Sequence, residues 1–284
     1  MKIIDITEDN LEIYTDYLGE DMAENLNRMF YRGVVAVDDD STYPKGALVF
    51  RFVNLEEKAE NEAVIEWLKV DDVDAGDALM EAYQNKIREK EVVRSSFVLP
   101  IAQGKLLKNF MKANGFTVRL YEGDDLISCV DEMTKLPVLN MKIPMEGVHP
   151  LSNMLMRDFR KEMSRCVEAG RKGTCEDLAY LPMSYFDQNI SSYVEKNGEV
   201  MGMQLYHKSP SGSLEIKLLI AWTKDFRLIF PQLFKQTLTS AIELYPQDTP
   251  VILNRHNEAS LLLAEKLFPR GFGRPIYKGE RIEE

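Results

Sequence analysis

Residues 63–78 read AVIEWLKVDDVDAGDA, and a change of rhythm inside this stretch decides the fold. Ala63–Val70 is rich in β-branched and aromatic residues and predicts a strand. Four aspartates follow among small residues: Asp71, Asp72, Asp74 and Asp77. From Gly76 to Lys90 the apolar residues Leu79, Tyr83 and Ile87 recur every four positions, which predicts a helix.

The same alternation extends in both directions. Upstream, Lys2–Thr7 predicts a strand and Glu8–Met29 a helix in two pieces about Gly19. Tyr31–Asp38 and Gly46–Val53 predict two more strands. Downstream, Glu91–Leu99 predicts a strand and Lys105–Ala113 a short helix closed by Asn114-Gly115, a C-cap signal. Phe116–Val130 supplies one or two closing strands around Gly123-Asp124. The expected class is α/β with a mixed sheet.

The second half repeats this order. Pro150–Gly170 predicts a long amphipathic helix whose methionines serve packing. Ser191–Glu195 and Val200–Tyr206 flank Lys196-Asn197-Gly198, a strong hairpin signal. Leu214–Trp222 predicts a strand, Phe230–Leu244 a helix with Pro231 in its first turn, Pro250–Leu253 a strand and Asn257–Phe268 a helix. Gly271-Phe272 then leads into a last strand. Ile65-x-Trp67-x-Lys69 recurs as Ile220-x-Trp222-x-Lys224, an offset of 155 that includes both tryptophans of the chain. Gly115-Phe116 recurs as Gly271-Phe272 at an offset of 156, and Leu106-Leu107 matches Leu262-Leu263. The agreement favours a duplication over two unrelated α/β domains. The expected domains are 1–137 and 138–284, with the border near Thr134–Pro144.

Composition narrows the function. The chain of 284 residues has 35 Lys+Arg against 46 Asp+Glu, a net charge of -11. Residues 1–140 carry 16 basic and 28 acidic residues, so all the excess acid lies there. That argues against nucleic acid as a partner, because phosphate neutralisation needs Lys and Arg. No window approaches the apolar length of a membrane span, and the N-terminal apolar run is too short for a signal peptide. Cys129, Cys166 and Cys175 show no metal-type spacing, and His149, His207 and His256 are scattered, so no metal site is expected. Reduced thiols in a cytoplasm are the simplest reading.

The order strand, helices, three strands, helix, strand, helix, strand resembles the GNAT acyltransferase superfamily, and the whole chain resembles a tandem GNAT protein. The resemblance implies two GNAT-like domains and a site for acetyl-CoA, or another acyl-CoA, between splayed fourth and fifth strands. It also implies transfer to an amine, either a small molecule or a peptide. In that family a loop patterned R/Q-x-x-G-x-G/A holds the pyrophosphate. Here the first half has Val73-Asp74-Ala75-Gly76-Asp77-Ala78 after Val70. Gly76 and Ala78 match the small residues, whereas Val73 replaces the basic one. The aspartates have two readings. As helix caps they favour the dipole. Against a dianion, each pair of like charges about 5 Å apart costs about 3 kcal/mol at an effective dielectric of about 20.

In the second half Lys224 and Arg227 supply positive charge, but Phe230 and Gln232 stand where small residues belong. Asn257 is either a pantetheine contact or a helix N-cap, and neighbouring His256 is a further proton acceptor. The family's tyrosine falls on Met111 and Ala264. The resemblance makes Glu66 the candidate general base, sharing one face of its strand with Leu68 and Val70 by alternation, and Glu215 its weaker counterpart beside Lys217. Two functions lead: an acyl-CoA-dependent N-acyltransferase, or a catalytically degenerate pair that binds a ligand or regulates; a third, an aminoacyl- or peptidyl-transferase using the paired fold without CoA, is disfavoured by the acidic first half. Nothing in the sequence bears on the oligomeric state.

Overall fold

The computed structural model describes residues 1–28, 30–55, 60–101, 104–169, 178–223, 226–254, 265 and 272–283. They form two compact units, Met1–Gly123 with Pro275–Glu284, and Asp124–Arg274.

The first unit begins with β1 (Lys2–Ile6), α1 (Leu11–Leu18), α2 (Glu20–Leu26) and β2 (Tyr31–Val37). Gly19, at φ +84°, separates the two helices, a conformation that costs a glycine little. β3 (Pro44–Leu55), β4 (Glu60–Val70), α3 (Val73–Arg88), β5 (Val92–Pro100) and α4 (Gly104–Ala113) follow, and β6 (Thr117–Cys129) starts here. The helix after β4 thus begins three residues before the expected Gly76. The strand order is β1-β2-β3-β4-β5, then β12 (Phe272–Ile282), then β6. Neighbours β1 to β4 run antiparallel, whereas β4 and β5 are parallel.

Each face of this sheet buries its own layer. Phe50, Ile65, Leu68 and Phe97 pack with Leu79, Met80 and Tyr83 of α3. Val35, Val49 and Tyr31 pack with Tyr14 and Leu18 of α1, and Trp67 packs against them. Such apolar burial is the main favourable term in holding helix to sheet.

The second unit takes up β6 from Asp124 and continues through α5 (Val130–Thr134), β7 (Val148–Pro150) and α6 (Met156–Glu168). β8 (Ser192–Lys196), β9 (Glu199–Lys208), β10 (Leu214–Ala221), α7 (Phe226–Leu244) and β11 (Pro250–Asn254) complete it. The strand order is β6-β11-β10-β9-β8-β7, with β10 and β11 parallel. The hairpin signal is realised between β8 and β9, with Asn197 and Gly198 at φ +55° and +78°.

The division differs from the expected border at 137/138. Leu126, Val130, Met133 and Leu136 are buried in the second unit's core, so burial assigns Asp124–Pro137 there. The last ten residues return to the first unit: β12 pairs antiparallel with β5 from Ile276–Pro100 to Ile282–Arg94, and Tyr277 enters its core. Gly123-Asp124 is no turn, because β6 runs through it as one strand of 13 residues. The amphipathic helix α6 starts at Met156, after a short 3-10 turn at Leu151–Asn153. α7 starts four residues before Phe230, which puts Pro231 inside the helix and leaves the Arg227 carbonyl without its usual donor.

Gly279 on β12 has no room for a side chain: a Cβ there would stand 2.5 Å from the Phe97 ring and 2.7 Å from the Thr117 carbonyl oxygen. Gly279→Ala is expected to destabilise the protein by about 1–3 kcal/mol, read as a lower urea midpoint at unchanged slope.

Candidate functional site

In each unit a pair of parallel strands comes apart. The β4–β5 ladder ends at Ile65–Phe97. Beyond it β4 stays paired with β3 to Val70–Gly46, and β5 stays paired with β12 to Pro100–Ile276. In the second unit the β10–β11 ladder ends at Ile216–Leu253, while β10 follows β9 to Ala221–Gly202. Both separations coincide with a β-bulge. Trp67 opposes Val49 and Ile65 opposes Phe50, so Glu66 is the extra residue of β4. Leu218 opposes Leu205 and Ile216 opposes Tyr206, so Lys217 is the extra residue of β10. A bulge re-aims one side chain and bends its strand, which suits a strand that must leave its neighbour.

This register aligns Glu66 with Lys217, Val70 with Ala221 and Asp71 with Trp222, an offset of 151. The Asp71 N–H donates to the Lys45 carbonyl and the Trp222 N–H to the Met201 carbonyl, both at 2.8 Å. The tryptophan repeat at offset 155 is therefore four residues out of step: Trp67 lies within β4, and Trp222 follows β10. The halves do share a fold, but not through that motif. A glycine pair carries the correspondence better. Gly46 faces the end of β4 and Gly202 the end of β10, and a Cβ on either would meet the following helix, at Leu79 Cδ1 (2.8 Å) or Ile229 Cγ2 (2.5 Å). Both glycines were legible in the sequence, but nothing local marked them as a pair.

Glu66 does not share a face with Leu68 and Val70, because the bulge interrupts the alternation. Leu68 and Val70 pack on the α3 side, whereas Glu66 faces Tyr31 on the α1/α2 side. Its Oε1 accepts from Arg51 Nε at 2.5 Å, with both side chains less than one third exposed. Burial pushes the Tyr31 phenol well up, and the Glu66 carboxylate adds to the rise, while Arg28 and Arg51 oppose it. Tyr31 therefore stays a neutral hydroxyl. Glu215 is paired instead with Lys217 and lies across the ladder from His207, a buried ring stacked on Tyr185 at 3.8 Å. Glu215 lies two residues before the bulge, so it is not the positional counterpart of Glu66; Lys217 is.

The loop before α3 resolves the two readings of its aspartates in one case. Asp72 is the N-cap: its Oδ1 accepts from the Ala75 N–H at 2.8 Å, and its carbonyl accepts from the Gly76 N–H at 3.2 Å. Val73, Asp74 and Asp77 are exposed, Ala78 is half-buried, and Ala75 and Gly76 are buried. Gly76 is small for a packing reason, since a Cβ there would stand 2.8 Å from the Phe110 ring and 3.2 Å from Val70 Cγ1. Met111 is fully buried in the α3-side core. In the second unit Arg227 is exposed in the first turn of α7, and Ile229 is buried. Phe230 and Gln232 lie inside the helix rather than in the loop. Lys224, His256 and Asn257 lie outside the described residues. Among the described residues no three His, Cys, Asp or Glu side chains gather as metal ligands, and no helix is long and apolar enough to cross a membrane.

This architecture recurs in solved structures. A tandem GNAT protein from the clavulanic acid biosynthesis pathway matches over 99% of this chain and 98% of its own, with a TM-score of 0.66 at 11% identity. A conserved protein of unknown function from Bacteroides thetaiotaomicron matches over the full length of both chains, with a TM-score of 0.59 at 11% identity. A probable N-acyltransferase from Enterococcus faecalis matches over 99% of this chain and 72% of its own, with a TM-score of 0.55 at 12% identity. No family model and no curated protein matches the sequence. The chain has the tandem GNAT fold.

If Gly76 is small to admit Phe110, the two positions must be coupled. Gly76→Ala is expected to cost about 1–2 kcal/mol, and Phe110→Leu in the same chain should recover part of it. Additive losses in the double-mutant cycle would assign Gly76 another role.

Proposed function

We propose that the protein is an acyl-CoA-dependent N-acyltransferase with an amine acceptor, and that its chemistry belongs to the first unit. The observation that carries this reading is the position of Glu66: the bulged residue where β4 leaves β5, held by Arg51 and still partly accessible to solvent. An amine arrives as an ammonium at neutral pH and must lose a proton before its nitrogen can attack. Glu66 is suited to take that proton directly or through one water. Arg51 keeps the carboxylate aimed, and Tyr31 supplies a neighbouring neutral hydroxyl.

The donor, when bound, supplies an activated acyl thioester. The first unit fits one part of it. From Glu66 to Val70, β4 pairs among the described residues on its β3 edge only, so its other edge can hydrogen-bond the amides of a pantetheine arm. The pyrophosphate end fits poorly. Asp72 already takes two first-turn N–H groups, Phe110 covers Gly76, and further aspartates surround the loop. Weak donor binding is the consequence. In the second unit a lysine stands at the bulge, so that half is read as a binding partner without a carboxylate base. The reduced Cys129 thiol is in keeping with a reducing, cytoplasmic setting.

The capped loop, with Met111 at the family's tyrosine position, favours a second reading in which the whole pair is a ligand-binding or regulatory module. Calorimetry with acetyl-CoA near millimolar concentration, followed by turnover across a panel of amines, separates the two. The transferase reading expects binding and turnover, with Glu66→Gln lowering turnover by about 10²–10⁴-fold at unchanged donor affinity. Binding without turnover supports the module, and no binding removes the transferase.

A further inference from the structure

The β4 segment that has left β5 carries a stripe of polar and aromatic side chains. Past the bulge, alternation directs Trp67, Lys69 and Asp71 to the α1/α2 side, where Glu66 also points. Trp67 packs in the aromatic layer with Tyr14 and Tyr17, and its buried indole N–H finds no acceptor among the described residues. Lys69 lays its ammonium 3.8 Å from the centre of the Tyr17 ring. Burial raises the Tyr17 phenol, and the Asp71 carboxylate adds to the rise, with smaller contributions from Tyr43 and Asp72. The chain thus seats one of its own alkylammonium groups on an aromatic face backed by a carboxylate, the arrangement that recognises alkyl cations.

Five residue steps separate Glu66 from Asp71, at most about 16 Å at about 3.3 Å each and less across the bulge. A chain carrying several ammonium groups can span such a distance, and a monoamine cannot. We infer that the acceptor is a linear polyamine: one nitrogen lies at Glu66, and a second ammonium takes the Tyr17–Asp71 seat in place of Lys69. The excess acid of residues 1–140 draws such a polycation in. This assignment rests on Glu66 as the proton acceptor of the site, but its test does not depend on turnover.

Titration calorimetry of the intact protein with spermidine, and with n-butylamine as a monoamine control, tests the seat. Spermidine should bind at least about tenfold more tightly than n-butylamine. Lys69→Met removes the internal competitor and should tighten spermidine about three- to fivefold, whereas Asp71→Asn should weaken it by a similar factor. Both side chains are exposed at the end of a strand, so folding is not at stake. Equal binding of the two amines, no spermidine binding at millimolar concentration, or no response to either substitution would overturn the inference. If the substitutions act as expected but Glu66→Gln leaves turnover intact, the seat stands and the assignment of Glu66 fails.

Discussion

The structure depends on how a parallel pair of strands can separate while each stays anchored in the sheet. Backbone N–H and C=O groups seek partners, and buried unpaired ones are expensive. Past Ile65 β4 is held on its far edge by β3 and β5 on its far edge by β12, so the groups facing the gap are the ones left to other partners. The last residues of the chain are therefore part of the first unit's opening rather than a terminal ornament. Arg281 shows how firmly that strand is held: it forks onto Glu283, donates to the Asn114 carbonyl at 2.8 Å and lies 4.7 Å over the Phe116 ring.

The bulge decides which side chain stands at each opening. One extra residue bends the strand and presents a side chain where the ladder stops. In the first unit that residue is Glu66, and in the second it is Lys217. Each is neutralised by a neighbour, Arg51 for Glu66 and Glu215 for Lys217, so both units keep a half-buried ion pair at their opening with the signs exchanged. A carboxylate has a lone pair to accept a proton and an ammonium has none, so under the proposed reading only the first unit carries a base at this position. The asymmetry between two copies of one plan rests on this single position.

Much of the fold was legible in the sequence. The strand-to-helix switch at residues 63–90, the break at Gly19, the cap at Asn114-Gly115 and the turn at Asn197-Gly198 all took their expected roles, because each is a local property of backbone and period. The misread boundaries had a common cause. α3 and α7 start earlier than their apolar period suggests: Asp72 caps the first turn of α3, and Ile229 in the first turn of α7 lies against Gly202 of β9, so neither first turn follows the amphipathic period. Likewise Gly76 looked like part of a phosphate cradle, whereas its small size makes room for Phe110.

The sequence by itself determined the class of fold, the duplicated order of elements and the acidity of the first half, since these follow from period, turn chemistry and composition. Tertiary structure alone decided the register of the duplication, the face on which Glu66 lies and the unit that claims each strand. A bulge is one inserted residue with no sequence signature, and it reverses every face assignment beyond it. The return of β12 to the first unit is a pairing between residues far apart along the chain, set by the free edge of β5 rather than by anything near β12 in sequence.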